Sequence, residues 1–169
     1  PLVTQAYDVA SETVGYQISV IYLAASVGSF GSGVIVRRHG PARTSMIALA
    51  AAICGLLLLS MGNLFLGVFS AVLIGIGYAL TNPSAGQILD RHCGPSHRNF
   101  VFSLKQTSVP IGGVVAGLAM PPLAEAFGWR IALLVPVLGC LLAYVIVGRF
   151  REEWDVGRDP HAKFRGSVV

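Results

Sequence analysis

Four polar side chains in the sequence lie within long apolar stretches, where they could bind a solute. Tyr78 and Asn82 are four residues apart, so they share one face of a helix. Lys105 and its neighbour Gln106 lie in the next apolar stretch, which continues beyond them. A phenol, two amides and an ammonium group would together form a positive, hydrogen-bonding surface. Such a surface suits an organic anion.

Lys105 is the residue whose position most needs an explanation. A cation at the centre of a membrane helix costs about 2.5–3.5 kcal/mol on insertion scales. One explanation is that the side chain lies about one turn inside the membrane and extends to cytoplasmic water or phosphate. The other is that it faces a cavity together with Tyr78, Asn82 and Gln106. The sequence leaves both explanations open.

Cysteine and histidine residues could suggest a metal site, but their spacing argues against one. His92, Cys93 and His97 lie in one polar loop without a fourth ligand. Cys54 and Cys140 lie inside apolar stretches, so the cysteines form neither a disulfide framework nor a metal quartet. We therefore expect no metal and no cofactor.

The composition places these side chains in an integral membrane protein. Hydrophobic residues make up 54% of the chain and charged residues 12%, whereas ordinary soluble domains have about 25% charged residues. A net charge of +4 would suggest nucleic acid as the partner of a soluble chain, but here it follows from arginines in the loops. We expect the lipid bilayer as the surroundings and no nucleic-acid partner.

Five apolar stretches are long enough to cross a bilayer as helices, since one span needs about 20 residues. We predict an all-α transmembrane bundle with five spanning helices, at residues 14–36, 44–62, 64–89, 100–123 and 131–148. Residues 1–148 would form the membrane domain. Residues 149–169 are charged and lack apolar periodicity, so we expect a mobile cytoplasmic tail or the start of a linker.

The arginines between the first two predicted helices set the orientation of the chain. Three of them crowd into the turn 37–43, and clusters of arginine mark the cytoplasmic side of a membrane. Loop 90–99 and the C-terminal tail then also face the cytoplasm. All of the 12 Lys and Arg residues except Arg130 fall on that side. We therefore expect a multi-pass protein of the cell membrane.

The arginine-rich turn resembles the signature loop of the major facilitator superfamily of secondary transporters. The family pattern, between its second and third helices, reads Gly-x-x-x-Asp-Arg/Lys-x-Gly-Arg/Lys-Arg/Lys. Gly33, Arg38 and Gly40 occupy matching positions, and Arg43 supplies a nearby basic residue. The acidic position of the pattern is occupied by Arg37.

Two further segments support the resemblance. Gly128, Trp129 and Arg130 form the Gly-Trp-Arg turn that often precedes the sixth helix of the family. The glycine- and proline-containing stretch 105–113 is similar to the fifth helix. The resemblance implies that the five predicted helices are helices two to six of a six-helix half. It also implies that a first helix precedes this chain and that a C-terminal half follows it.

The resemblance further implies transport of a small solute by alternating access. The fourth helix of the family lines the central cavity, and the predicted helix 64–89, which carries Tyr78 and Asn82, would be that helix. Many members carry an arginine in its outer part, where this chain has Ala71, which argues against proton coupling. The solute, the coupling ion and the direction of transport stay open.

Small residues predict two faces for helix packing. Gly28 and Ser32 in the first predicted helix are spaced four residues apart, and so are Gly113 and Gly117 in the fourth. This spacing lets membrane helices approach closely.

The arginine-rich turn 37–43, which we call the signature turn, lacks the acid of the family pattern. We expect Asp90 to supply a carboxylate there instead. The third predicted helix ends beside the first in the family fold, so Asp90 should pair with Arg37 or Arg38. The alternative is a solvent-exposed pair with the adjacent Arg91.

Two other classes of function compete with a transporter. An integral-membrane enzyme would need catalytic side chains clustered at one membrane depth, which the predicted helices do not offer, so we expect no enzyme. A truncated, non-transporting homologue that acts through helix–helix contacts fits the length and the small-residue faces. The coding region on either side of the chain would discriminate between such a truncation and part of a transporter.

A cysteine placed at His39 tests the predicted orientation. In intact cells it should resist thiol reagents that are confined to the outside, because the turn 37–43 is expected in the cytoplasm. A cysteine at Met61, in the predicted outer turn, is the matched control and should react. Labelling of the His39 position from outside would show that the topology is inverted.

Overall fold

The computed structural model describes residues 12–94, 96–159 and 162, and every regular element within them is an α-helix. The helices are α1 (Glu12–His39), α2 (Pro41–Ser60), α3 (Leu64–His92), α4 (Arg98–Phe127), α5 (Trp129–Ala132), α6 (Leu134–Arg149) and α7 (Arg151–Trp154). The first four helices, together with the combined helix α5–α6, are long and apolar enough to cross a membrane. The predicted all-α bundle with five spanning helices is confirmed.

Short turns built on glycine and asparagine join the helices. Gly40 alone separates α1 from α2; its φ of 92° lies in the left-handed region, and Pro41 then begins α2. Asn63 caps α3, because its side chain accepts hydrogen bonds from the N–H groups of Phe65 and Leu66 at 2.9 and 3.4 Å. Turns this short make α2 run antiparallel to both α1 and α3.

α3 is the central helix and packs against both α1 and α2. Its buried positions are mostly small residues, among them Gly67, Ser70, Ala71, Gly75 and Gly77. A Cβ added at Gly75 would lie 2.7 Å from Ala24 Cβ of α1, and one at Gly77 would lie 2.8 Å from the Ala48 carbonyl oxygen of α2. Only glycine therefore allows the backbones to come this close, which is how helices associate in lipid.

The small-residue pair of α1 belongs to this contact. A Cβ added at Gly28 would lie 3.0 Å from Ala79 Cβ of α3, and Ser32 is buried one turn further along. The pair in α4 differs, because a Cβ added at Gly113 or Gly117 would meet no other described atom within 4 Å. Packing at the α4 pair stays a prediction.

α4 lies at the periphery of the bundle. None of its 30 residues is buried by the described part of the chain. α6, in contrast, packs against α2. One side of α4 consequently contacts no other helix of the described structure.

Substitution of Gly75 with alanine should destabilise the bundle. The new Cβ would press on the α1 backbone, and overpacking of this kind costs about 1–3 kcal/mol. Gly67→Ala in the same helix is the matched control: its Cβ meets nothing within 4 Å, and alanine is favoured over glycine in a helix by about 0.5–1 kcal/mol. Thermal unfolding in detergent compares the two variants. Equal melting temperatures would contradict the close contact of α1 with α3.

Candidate functional site

A cleft with a partly polar lining opens between α1 and α3, and we call it the α1–α3 cleft. It encloses about 320 Å³, and its polar wall consists of hydroxyl and amide side chains: Tyr22, Ser26, Ser29, Ser32, Tyr78 and Asn82. Tyr22 and Tyr78 meet edge to face across the cleft, with ring centroids 6.3 Å apart and an interplanar angle of 81°. Aromatic pairs favour this geometry, so the contact holds the two helices in register here.

The serines of the cleft present oxygen lone pairs rather than protons. Ser26, Ser29 and Ser32 donate to backbone carbonyl groups three or four residues earlier in α1, at distances of 2.7–2.8 Å. With its proton used inside the helix, each hydroxyl oxygen can still accept a hydrogen bond. The cleft is therefore suited to a ligand that carries O–H or N–H groups.

Lys105 extends from α4 to Asn82 of α3, and Asn82 lines this cleft. Its Nζ lies 3.1 Å from Asn82 Oδ1 and 3.3 Å from the Asn82 carbonyl oxygen. The ammonium group thus donates two hydrogen bonds to α3, which offset part of the cost of placing a cation in an apolar helix. Since Asn82 lines the cleft together with Tyr78, three of the four candidate side chains lie in one region.

Gln106 lies apart from the other three candidates. Its side chain is exposed, and consecutive positions of a helix point about 100° apart, so Lys105 and Gln106 do not both face α3. Lys105 also lines an apolar groove of about 450 Å³ between α3 and α4, to which Trp154 of α7 contributes as well. Lys105 therefore lines the apolar groove, while its ammonium group bonds to Asn82, which lines the α1–α3 cleft.

The residues of the signature turn divide between two helices. Gly33, Arg37 and Arg38 lie along the end of α1 and are exposed. Gly40 links the helices, and Arg43 lies in the first turn of α2 with a partly exposed side chain. The turn is thus a joint between two helix ends rather than a free loop.

Asp90 does not supply the missing acid of this turn. Its carboxylate pairs with Arg98 Nη2 at 2.5 Å, so the predicted pair with Arg37 or Arg38 is wrong, and so is the alternative pair with Arg91. The short connection between α3 and α4 brings Arg98 to Asp90, whereas the guanidinium group of the adjacent Arg91 bonds to the carbonyl oxygens of Trp154 and Val156. Both side chains are about half exposed, and such pairs contribute about 0–1 kcal/mol.

The acid at the turn is Asp155, from the segment that follows α7. Its Oδ1 accepts a hydrogen bond from the N–H of Ala42 at 2.7 Å, and its Oδ2 lies 3.6 Å from Arg43 Nε. Residues 150–159 are folded against the bundle, so the expectation of a mobile tail is wrong for them. The rest of the predicted tail, apart from Ala162, lies outside the described residues.

Tyr22 and Asp155 are functional candidates that the sequence analysis missed. Tyr22, Ser26 and Ser29 follow the i, i+4, i+7 spacing of one helix face, so the polar side of α1 could have been found from that pattern. Asp155 carries no comparable signal. Its contact depends on a helix start that lies 113 residues away along the chain.

These features define a polytopic helical membrane protein with polar groups between its spans. The chain belongs to the Major Facilitator Superfamily, whose family model matches residues 1–166. The resemblance seen in the signature turn is thereby confirmed.

Several curated members of this family are similar to the chain. A probable hexose phosphate transport protein of Chlamydia pneumoniae is 26% identical over 157 residues, which cover 87% of this chain and 33% of that protein. The hexuronate transporter of Bacillus subtilis (strain 168) is 24% identical over 144 residues, covering 81% and 34% of the two chains. The galactose-proton symporter of Escherichia coli (strain K12) is 24% identical over 151 residues, covering 89% and 32%. The chain thus spans about a third of the length of these relatives. No solved structure gives a significant match.

Proposed function

We propose that the chain is part of a transporter that moves a small solute across the cell membrane by alternating access. The observation that carries this proposal is the hydrogen bond from the Lys105 ammonium group to Asn82, a residue that lines the α1–α3 cleft. Polar and charged groups at membrane depth are costly, and they mark substrate or ion pathways in membrane proteins. Membership of the superfamily supports the same function.

The solute that fits this site best is a hydroxylated organic anion. The serine oxygens of the cleft accept hydrogen bonds from solute hydroxyl groups, and Lys105 pairs with a carboxylate or a phosphate. Among the relatives, hexose phosphate and hexuronate are sugars with an anionic group, whereas galactose is neutral. The transport assay must therefore discriminate between an anionic sugar and a neutral sugar as the solute.

Asn82 gives Lys105 a partner when no solute is bound. An unpaired ammonium group in an apolar helix would carry a large desolvation cost, and the amide and carbonyl oxygens of Asn82 remove part of it. A solute anion carries a charge on the acceptor as well, so its hydrogen bond to the ammonium group is stronger than those of the neutral Asn82 oxygens, and it displaces them. Lys105 can exchange partners in this way without an unpaired intermediate state.

The rest of the transport path comes from outside this chain in our proposal. A helix that precedes α1 and a second six-helix half would cover the exposed side of α4, which buries no residue in the described structure. Lipid would cover the outer faces of the other helices. Alternating access then consists of this half rocking against the second half around the solute.

Substitution of Lys105 with glutamine in the full-length transporter tests the assignment. Uptake into proteoliposomes is first measured for a hexose phosphate, a hexuronate and a neutral hexose. A hydrogen bond to a charged group contributes about 1.5–3 kcal/mol, so the half-saturation concentration for an anionic solute should rise about tenfold or more. Lys105→Arg keeps the charge and should lose less.

Arg149→Gln is the matched control, because it removes an exposed cation at the end of α6 and should leave uptake unchanged. Unchanged uptake by the Lys105→Gln variant would rule out a binding role. In that case the side chain only extends towards cytoplasmic water. An equal loss for an anionic and a neutral solute would show that Lys105 does not recognise the charge.

A further inference from the structure

α2 begins without a cap of its own. Gly40, the residue before the helix, has no side chain, and Pro41 has no N–H group. Thr44 makes the first backbone hydrogen bond of the helix, to the Gly40 carbonyl oxygen at 3.1 Å. The N–H groups of Ala42 and Arg43 precede that bond, so they need an acceptor from another part of the molecule.

Asp155 supplies this acceptor from residues 154–159, which we call the clip. Its Oδ1 lies 2.7 Å from the Ala42 nitrogen and 3.4 Å from the Arg43 nitrogen. The carboxylate also faces the positive end of the α2 dipole, and its side chain is only 8% exposed. A Cβ at Gly40 would collide with this carboxylate, so the position requires glycine for the contact as well as for the turn.

Two further contacts fasten the clip to neighbouring helix ends. The Asp159 N–H donates to the Arg37 carbonyl oxygen at the end of α1, at 2.9 Å. Arg91, in the last turn of α3, donates from Nη1 to the carbonyl oxygens of Trp154, at 3.3 Å, and Val156. The clip therefore bonds to the ends of α1, α2 and α3 at the same end of the bundle.

We propose that Asp155 is a helix cap supplied from a distant part of the chain, and that the clip locks the segment leaving the last span to the ends of α1, α2 and α3. The ends of α1, α2 and α3 then move together with the clip as one rigid body. The importance of this for transport rests on the proposed function, because alternating access requires each half to move as a unit. The clip itself is independent of the solute.

The clip also accounts for a departure in the signature turn. Arg37 stands where the family pattern has an acid, so the turn lacks a carboxylate of its own. Asp155 brings a carboxylate to the same turn from the other end of the chain. The negative charge that the turn lacks in its own sequence is thus supplied by Asp155.

Spin labels on cysteines at His39 and Val156 of the full-length transporter, freed of its native cysteines, test the clip. Both side chains are exposed, and a pulsed electron spin measurement gives the distribution of distances between the labels. Asp155→Ala should broaden this distribution about twofold, because the clip loses its anchor at α2 and opens locally. Glu153→Ala, which removes an exposed acid from α7, is the matched control and should leave the distribution unchanged.

A distribution that stays as narrow in the Asp155→Ala variant as in the parent protein would overturn the proposal, and so would equal broadening by Glu153→Ala. Where the Asp155→Ala protein is too unstable to purify, Arg91→Gln tests the clip at its α3 contact, since it removes the hydrogen bonds of the guanidinium group to the Trp154 and Val156 carbonyl oxygens and leaves the turn beside the His39 label unchanged. The measurement needs no transported solute. Its failure is therefore distinguishable from a failure of the solute site, which only the uptake assay reports.

Discussion

The close approach of α3 to its two neighbours is the interaction on which the rest of the structure depends. Lipid removes the hydrophobic drive between helices, so the contact must come from backbones and small side chains. Gly75 lies against α1 and Gly77 lies against α2, which places α3 between them at a distance that no larger residue permits. Everything at the polar site is positioned relative to this contact, because both walls of the α1–α3 cleft belong to the two helices that meet at Gly75.

The cleft forms where the same face of α3 changes from small to large residues. Gly75, Tyr78 and Asn82 recur at three- and four-residue spacing, so they follow one another along the side that faces α1. The backbones touch at Gly75, and one turn later the rings of Tyr22 and Tyr78 occupy the space between the helices. A tight contact next to a pair of rings leaves a gap, and Asn82 at the far side of that gap gives Lys105 its partner.

Features with a local signal could be predicted from the sequence, and features that depend on distant parts of the chain could not. Each span is a continuous apolar stretch of sufficient length, and a lysine inside such a stretch shows by itself that it needs a partner. Which acid lies at the signature turn could not be predicted in this way. The family layout predicts Asp90 beside Arg37 or Arg38 at the end of α1, but the short connection between α3 and α4 brings Arg98 to it instead. The polar side of α1 could have been found, since Tyr22 follows the same helical spacing as the serines.

The clip shows why composition misleads for a segment of this kind. A charged segment without apolar periodicity cannot bury enough surface to fold by itself, but helix ends offer it unpaired backbone groups instead. α1 ends and α2 begins with only Gly40 between them, so acceptors and donors lie side by side. A carboxylate satisfies the start of α2, and a backbone N–H satisfies the end of α1. The clip can therefore bind the end of α1 and the start of α2 at the same time. The hydropathy of the sequence does not predict this attachment.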